Sequence, residues 1–333
     1  MIAFLKVLET IVENKIGHLN PAILAHVITN RCNLRCKYCV FWRRKFDEEP
    51  STNKVFSVID QAEELGISFY SVTGGEPLLR DDIPEILKHA HDKGMVTTLV
   101  TNGILLDKQL ESIAPHLNAL SISLDSHLAE HSTHRCDAET YWKIRKNIEM
   151  AAECKKRHKN HKVNINTVIS QINLHDLDAL VKLVDELDIG ITFEPVVTMV
   201  PESPTLAYDE DFKHVIDTLI EMKDSDYPIW NSKRYLELIR DSKTFDCCSF
   251  LLVRLDPDGN VIVPCYHPEV TTRVGTIHER TLKDIIESDE RKRALMKSKE
   301  CHRCYLTNYA EASLIYNNIF KTGLEQFRLW VEA

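Results

Sequence analysis

The feature that most constrains this chain is an alternation. Apolar runs of strand length occur at 23–29, 68–73, 96–101, 119–125, 163–169 and 191–197. Between them lie helical patterns near 52–64, 82–93, 107–117, 138–157, 173–188 and 208–223. Strand alternating with helix implies βαβ units and a parallel sheet. Six units are too few for a closed eight-stranded barrel. The expected fold is therefore α/β, an open, partial (β/α)6 barrel. In such sheets ligands gather at the C-terminal ends of the strands, and the loops with chemistry follow those ends. Three cysteines follow the first strand, Gly74-Gly75-Glu76-Pro77 the second, Thr101-Asn102-Gly103 the third and Ser123-Leu124-Asp125 the fourth.

The flanks read differently. Residues 1–17 repeat apolar side chains at helical spacing, with Phe4, Leu8, Ile11 and Val12 on one side and Lys6, Glu9 and Glu13 on another. This predicts an amphipathic helix packed on the main domain. In-plane membrane contact is the alternative, but a lysine-rich polar face would favour it and this face is acidic. Past residue 245 the alternation stops. The stretch 256–265, DPDGNVIVPC, reads as a hairpin turn at Asp258-Gly259 followed by a strand. A short helix is expected at 281–288 and a final helix over 308–331. The expected organisation is an N-terminal helix over 1–21 and a barrel over 22–225. A linker with a small α+β module follows over 226–306, and a C-terminal helix over 307–333.

The formal net charge of the 333 residues is -9, which argues against broad nucleic-acid contact. No apolar run reaches the roughly 20 residues that cross a bilayer. Lys6, Glu9 and Glu13 interrupt what would otherwise be a secretory apolar core. The expected setting is cytosolic and reducing, where clustered cysteines mean metal or chemistry rather than disulfides. Three of the 10 cysteines are Cys32, Cys36 and Cys39, and five lie in 247–304. Three thiolates at the spacing C-x3-C-x2-C can grip three corners of a [4Fe–4S] cube and leave one iron open to an external ligand. Spacing alone also allows a zinc site with a distant fourth ligand, or three core cysteines. Cys136 and Cys154 stand apart and read as buried, inert thiols.

Together CNLRCKYC, GGEP and SISLDS, in this strand order over about residues 22–200, resemble the radical S-adenosylmethionine (radical SAM) superfamily. The resemblance implies that SAM chelates the open iron through its amino and carboxylate groups. It is then cleaved reductively to a 5′-deoxyadenosyl radical, which takes hydrogen from a substrate. Carried over by position, Cys32, Cys36 and Cys39 would hold the cluster. Gly74, Gly75, Glu76 and Pro77 would meet the methionine amino group, with Glu76 pairing its ammonium. Ser123 and Asp125 would face the ribose or the carboxylate, and Asn166 the ribose hydroxyls unless it is only a polar barrel-interior residue. Backbone near Tyr38 would read adenine, and Arg135 would meet the SAM carboxylate or else lie in solvent. Ser126 stands where the family has glycine.

CCSFLLVRLDPDGNVIVPCYH, TLKDIIES and CHRC resemble the SPASM/twitch extension of that superfamily, which holds an auxiliary [4Fe–4S] cluster. Cys248, with Cys247 as the alternative, would join Cys265, Cys301 and Cys304. No cysteine follows Cys304, which suggests the shorter form with one auxiliary cluster; a structural zinc site is the alternative. Five residues, not the family's four, separate Gly259 from Cys265, so a bulge is expected in the hairpin. His267 reads as a loop histidine. The implied partners are a small-molecule, lipid or peptide substrate and an electron donor such as flavodoxin or ferredoxin. Only about 20 residues precede the first strand, too few for a leader-binding domain, which lowers the peptide reading. A non-catalytic iron–sulfur or zinc protein is the competing class, and GGEP at a strand end argues against it.

Overall fold

The computed structural model describes residues 2–44, 49–158, 161–267, 270–297 and 304–326. After helix α1 (Ile2–Lys15) come six strands: β1 (Ile23–Val27), β2 (Phe69–Thr73), β3 (Val96–Thr101), β4 (Ala119–Ser123), β5 (Lys162–Ile169) and β6 (Gly190–Pro195). Each pairs in parallel with its sequence neighbour. The chain returns between them through α2 (Thr52–Glu64), α3 (Ile83–Asp92), α4 (Leu106–Ile113), α5 (Ala138–Arg157) and α6 (Leu177–Glu186), and α7 (Glu210–Asp224) follows β6. The expected (β/α)6 pattern is therefore present, element for element.

Local chemistry explains the helices. Ser51, Asp137 and Asp209 cap α2, α5 and α7, accepting from the backbone N–H three residues on. In α2 the buried residues Val55, Val58, Ile59 and Ala62 form one stripe at helical spacing. In β2 and β3 every second residue is fully buried beneath the helices, while Phe69, Ser71, Thr73, Thr98 and Val100 are half-buried on the lumen face.

The C-terminal module is not a separate layer. Strand β7 (Leu252–Leu255) adds to the open edge of β1 in parallel, with Ala25 opposite Arg254. Strands β8 (Asn260–Val263) and β9 (Thr272–Thr276) then continue antiparallel, giving one sheet in the order β6-β5-β4-β3-β2-β1-β7-β8-β9. The turn at Asp258-Gly259 is as expected. The Asp256 carboxylate accepts from the N–H of Asp258 and Asn260, and Gly259 has φ of 78°, which favours glycine. The bulge expected in the hairpin is not in the β7–β8 pairing, whose register is continuous; a register shift lies at Val261/Ile262 in the β8–β9 pairing.

Helix α8 (Lys233–Arg240) occupies the stretch read as linker. Its signal was local: the Ser232 hydroxyl caps it by accepting from Tyr235 N–H, and Tyr235, Leu236, Leu238 and Ile239 are buried. Helices α9 (Leu282–Glu287), α10 (Asp289–Lys297) and α11 (Thr307–Asn317) follow, and a π-helical segment over Ile319–Gly323 comes after α11. The helical stretch expected over 308–331 is present through 326 with a break at Asn318, and 327–331 lie outside the described residues. On α1 the packed face is rotated from the expected one. Thr10, Ile11 and Asn14 are buried, while Val12 is 62% exposed. Arg291 is buried and donates to the carbonyls of Leu19, Ile286 and Phe250, tying the approach to β1 to the module. Among the described residues no helix is long and apolar enough to cross a membrane.

Candidate functional site: two cysteine groups on one barrel

The front group is the loop after β1. Two glycines set its height. Gly75 N–H donates to Thr29 O at 2.7 Å and Glu76 N–H to Arg31 O at 2.7 Å. A Cβ on Gly74 would stand 2.6 Å from Thr29 O, and one on Gly75 2.2 Å from Arg31 O. The close approach that demands glycine is therefore backbone against backbone, loop on loop. Glu76 is 0% exposed. Its carboxylate accepts from Thr101 Oγ1 at 2.7 Å, Asn102 N at 2.8 Å and Leu78 N at 3.0 Å. Burial raises its pKa to about 7, against those three donors. Two of these three hydrogen bonds tie the carboxylate to the loop after β3. Asn102 in turn donates to Asn33 Oδ1 at 2.7 Å and approaches Cys32 Sγ at 3.9 Å. Three loops thus interlock around the first cysteine. Pro77 is buried at the start of the short helical turn that follows.

On the other side, Asp125 is the hub. It is 0% exposed. It accepts from Tyr38 Oη at 2.8 Å, His134 Nε2 at 2.9 Å and both Nε and Nη2 of Arg135 at 2.9 Å. The Val168 backbone N–H supplies a further donor at 3.0 Å. Burial alone would raise its pKa, but the Arg135 guanidinium and the His134 and Arg135 hydrogen bonds hold it well below the usual carboxylate range. Arg135 is 9% exposed and spends its fork on this carboxylate. Arg135 is thus buried rather than solvated, and Asp125 is its counter-ion. Together they anchor the loop. Lys37 N–H donates to His134 O at 2.9 Å, and Cys36 Sγ lies 3.8 Å from Arg135 O. Ser126, where the family has glycine, is buried and donates to Asp176 Oδ2 at 2.5 Å.

The three front cysteines are free thiols. Burial raises the pKa of Cys32 and Cys36, that of Cys36 to about 12 with the Arg135 charge opposing. Such thiols lose their protons on binding a metal. Leu34 N–H points at Cys32 Sγ at 3.4 Å, the kind of donor that tunes a cluster sulfur. These features fit a cluster held on three corners. Ser123, Asn166 and Thr192 form a row across β4, β5 and β6 on the lumen face. Thr192 Oγ1 donates to Asn166 Oδ1 at 3.0 Å, and Glu194 accepts from Thr307 N–H at 3.2 Å, bringing α11 onto the wall.

The rear group comes from separate segments. Tyr309 of α11 is buried, and its hydroxyl donates to Pro264 O at 2.9 Å. Burial raises its pKa first; Arg254 opposes, and the sulfurs of Cys265, Cys247 and Cys304 reinforce. By packing, Cys265 and Tyr309 share one buried cluster with Cys248, and Cys247 lies half-buried against it. Cys248 has contacts of its own: its N–H donates to Ser313 Oγ at 2.8 Å, and its Sγ meets Asp246 O at 3.7 Å. Cys301 lies outside the described residues. Among the described residues no three His, Cys, Asp or Glu side chains converge as for a single metal ion. His267 is on a loop, as expected, and with Tyr208 and Tyr305 lines a cavity of about 250 Å³. Cys154 is buried and Cys136 half-buried.

Sequence reasoning passed over His134, Glu194, Arg254 and Tyr266. Arg254 carried a signal: a lone charge inside an apolar strand is rarely buried without a task.

With the geometry in hand, the comparisons are direct. Residues 26–184 match the family model of the radical SAM superfamily, and residues 247–305 that of the SPASM iron-sulfur cluster-binding domain. The chain belongs to the radical SAM superfamily. Within it, this is a chain whose barrel is followed by a SPASM domain, and its cofactors are [4Fe–4S] clusters and SAM. Relatives include a probable GTP 3′,8-cyclase of Archaeoglobus fulgidus, 31% identical over 52% of this chain and 59% of that one. Another is the Fe-coproporphyrin III synthase of Methanosarcina barkeri, 27% identical over 58% and 49%. The chain thus spans 59% and 49% of the length of these two curated relatives. Among solved structures, anSMEcpe with bound AdoMet and Kp18Cys peptide is similar at a TM-score of 0.65 and 21% identity, covering 84% of each chain. Streptococcus suis SuiB bound to S-adenosylmethionine is similar at 0.66 and 18%, covering 81% of this chain and 66% of that one. At these identities the likeness concerns the fold.

Proposed function

We propose that this chain is a radical SAM enzyme that removes hydrogen from an unactivated carbon of a small organic molecule, held in the lumen between the two cysteine groups. The observation that carries the reading is the front loop. Three free thiols stand at the strand ends, fixed from one side by the Gly74–Glu76 backbone and from the other by Asp125 and Arg135. When bound, the cluster and SAM would supply a 5′-deoxyadenosyl radical. Cys32, Cys36 and Cys39 would hold that cluster. Ser123 and Asn166, whose side chains are half-buried on the lumen face, are the residues left to meet the ribose. Glu76, Asp125 and Arg135 act as positioning residues instead.

For the auxiliary cluster the reading shifts from Cys248 to Cys247, together with Cys265, Cys301 and Cys304. Full thiolate coordination favours electron exchange with a substrate radical over direct substrate binding. A flavodoxin or ferredoxin would supply electrons from outside. A small substrate is favoured because α11 crosses the wall at Glu194, and because the apolar cavity between α1, the strands and α11 measures about 310 Å³. A peptide is the second reading, supported by the likeness to SuiB bound to its precursor peptide SuiA. The test is anaerobic reconstitution followed by dithionite and SAM. 5′-deoxyadenosine is expected by chromatography and mass spectrometry, and none under any reductant would sink the enzyme reading.

A further inference from the structure

Arg254 stands between the two cysteine groups, and among the described residues no carboxylate forms an ion pair with it. It lies on the lumen face of β7, opposite Ala25 of β1, and is 7% exposed. Its guanidinium rests on two ring faces, 4.7 Å from the centroid of Tyr266 and 5.1 Å from that of Tyr309. Tyr266 belongs to the front side: Phe41, just past the cysteine loop, packs on it edge-on at 5.2 Å, and Arg44 donates to its carbonyl at 3.2 Å. Tyr309 belongs to the rear side, buried in one cluster with Cys265 and Cys248, against which Cys247 packs. The Arg254 Nε is buried without a hydrogen-bond partner.

A buried guanidinium normally pairs with a carboxylate and fills its donors. The contrast within this chain is plain: Arg135 gives its whole fork to Asp125, and Arg291 caps three carbonyls. Ring faces stabilise the charge of Arg254 and fix its plane, but they accept no conventional hydrogen bond in that plane. An arginine held flat with its edge free is built to receive a planar or tetrahedral anion through two parallel N–H···O bonds.

We propose that Arg254 is the receptor for an anionic group of the substrate, a carboxylate or a phosphate, and so fixes the substrate between the two cysteine groups. The proposal rests on the reading of the chain as a radical SAM enzyme that works in this lumen. It adds that the substrate is an acid. Balancing the charge of the rear cluster would explain Tyr309 on one side of the guanidinium, but not Tyr266 on the other, reaching back to the front loop.

The test uses the full chain, reconstituted anaerobically, in calorimetric titrations with inorganic pyrophosphate and with glutarate. One of the two is expected to bind the wild type. Arg254→Met, which keeps the apolar stem, should weaken that binding at least tenfold. Arg254→Lys should fall between, since an ammonium lacks the planar fork. Iron content and cluster absorbance equal to wild type show that each variant is folded; if Arg254→Met fails this, Arg254→Lys and Arg254→Gln decide. Binding of neither anion, or equal affinity in wild type and variants, overturns the proposal. So does a shift in the rear-cluster midpoint potential with anion affinity unchanged, which would assign Arg254 to the cluster. 5′-deoxyadenosine formation by the wild type is measured in parallel. Its absence would sink the enzyme reading while the titrations still judge Arg254.

Discussion

The two cysteine groups solve the same problem in opposite ways. The front three sit on one short loop, and the protein's effort goes into holding that loop: Gly75 against Arg31, Glu76 on Thr101 and Asn102, and Tyr38, His134 and Arg135 on Asp125. The rear group draws Cys247, Cys265 and Cys304 from segments that meet only after β7, β8 and α11 have packed. A loop that carries its own ligands needs neighbours that freeze it. Ligands spread along the chain need the fold itself. The first arrangement depends on a few exchanged charges, the second on the sheet.

The sharpest way to break the comparison is at the ligands. Alanine at Cys32, Cys36 or Cys39 should abolish 5′-deoxyadenosine formation and leave about half the iron. Alanine at Cys265 or Cys304 should leave SAM cleavage in place, with about half the iron lost from the other side. Anaerobic iron analysis with product chromatography reads both. Next in size is the adjacent pair. Cys247→Ala should lose the rear iron, while Cys248→Ala should keep it; the reverse result would return the ligand to Cys248.

Asp125→Asn tests the front scaffold. It leaves the Arg135 charge buried without its counter-ion, at a cost of about 3–5 kcal/mol. Chemical denaturation of the apo-protein should show this loss, and reconstitution should load the front cluster poorly and the rear one normally. The smallest effect belongs to Glu311 on α11, whose Oε2 is buried without a hydrogen-bond partner. Burial raises its pKa from 4.5 to about 7. Its folded value lies above its unfolded one, so the folded state holds the extra proton between them. Stability is then full below the unfolded value and declines as pH rises through the folded one. Glu311→Gln should remove about 1–2 kcal/mol of that decline. Thermal unfolding at pH 5 and pH 8 checks it, and parallel curves for variant and wild type would refute it.

The strands, most of the helices and the front cysteines were legible because each is written locally. Apolar period, a capping Ser or Asp, and ligand spacing all act within a few residues. What was not legible depends on distant partners. Glu76 looks like a ligand-facing carboxylate until Thr101 and Asn102 are seen to fill it. Asp125 and Arg135 are ten residues apart and were each assigned outward, whereas they neutralise each other. Cys247 and Cys248 cannot be ranked from adjacency, since the aromatic residues they pack with, Tyr309 and Tyr316, lie on a helix far along the chain. Strand β7 was missed as a partner of β1 because no local signal tells a short apolar run which edge it will join.

That last pairing has a consequence for biosynthesis. In the emerging chain β1 (Ile23–Val27) meets β2 early, but its other edge waits until Leu252–Leu255 has been made. Until then the nascent barrel shows a row of unpaired backbone groups beside the loop that is to carry the cluster. Such an edge invites pairing with other chains. Cells making this protein faster than its last third can dock should therefore lose it to aggregation through β1. A truncation ending before Leu252 should be insoluble even though all six parallel strands are present.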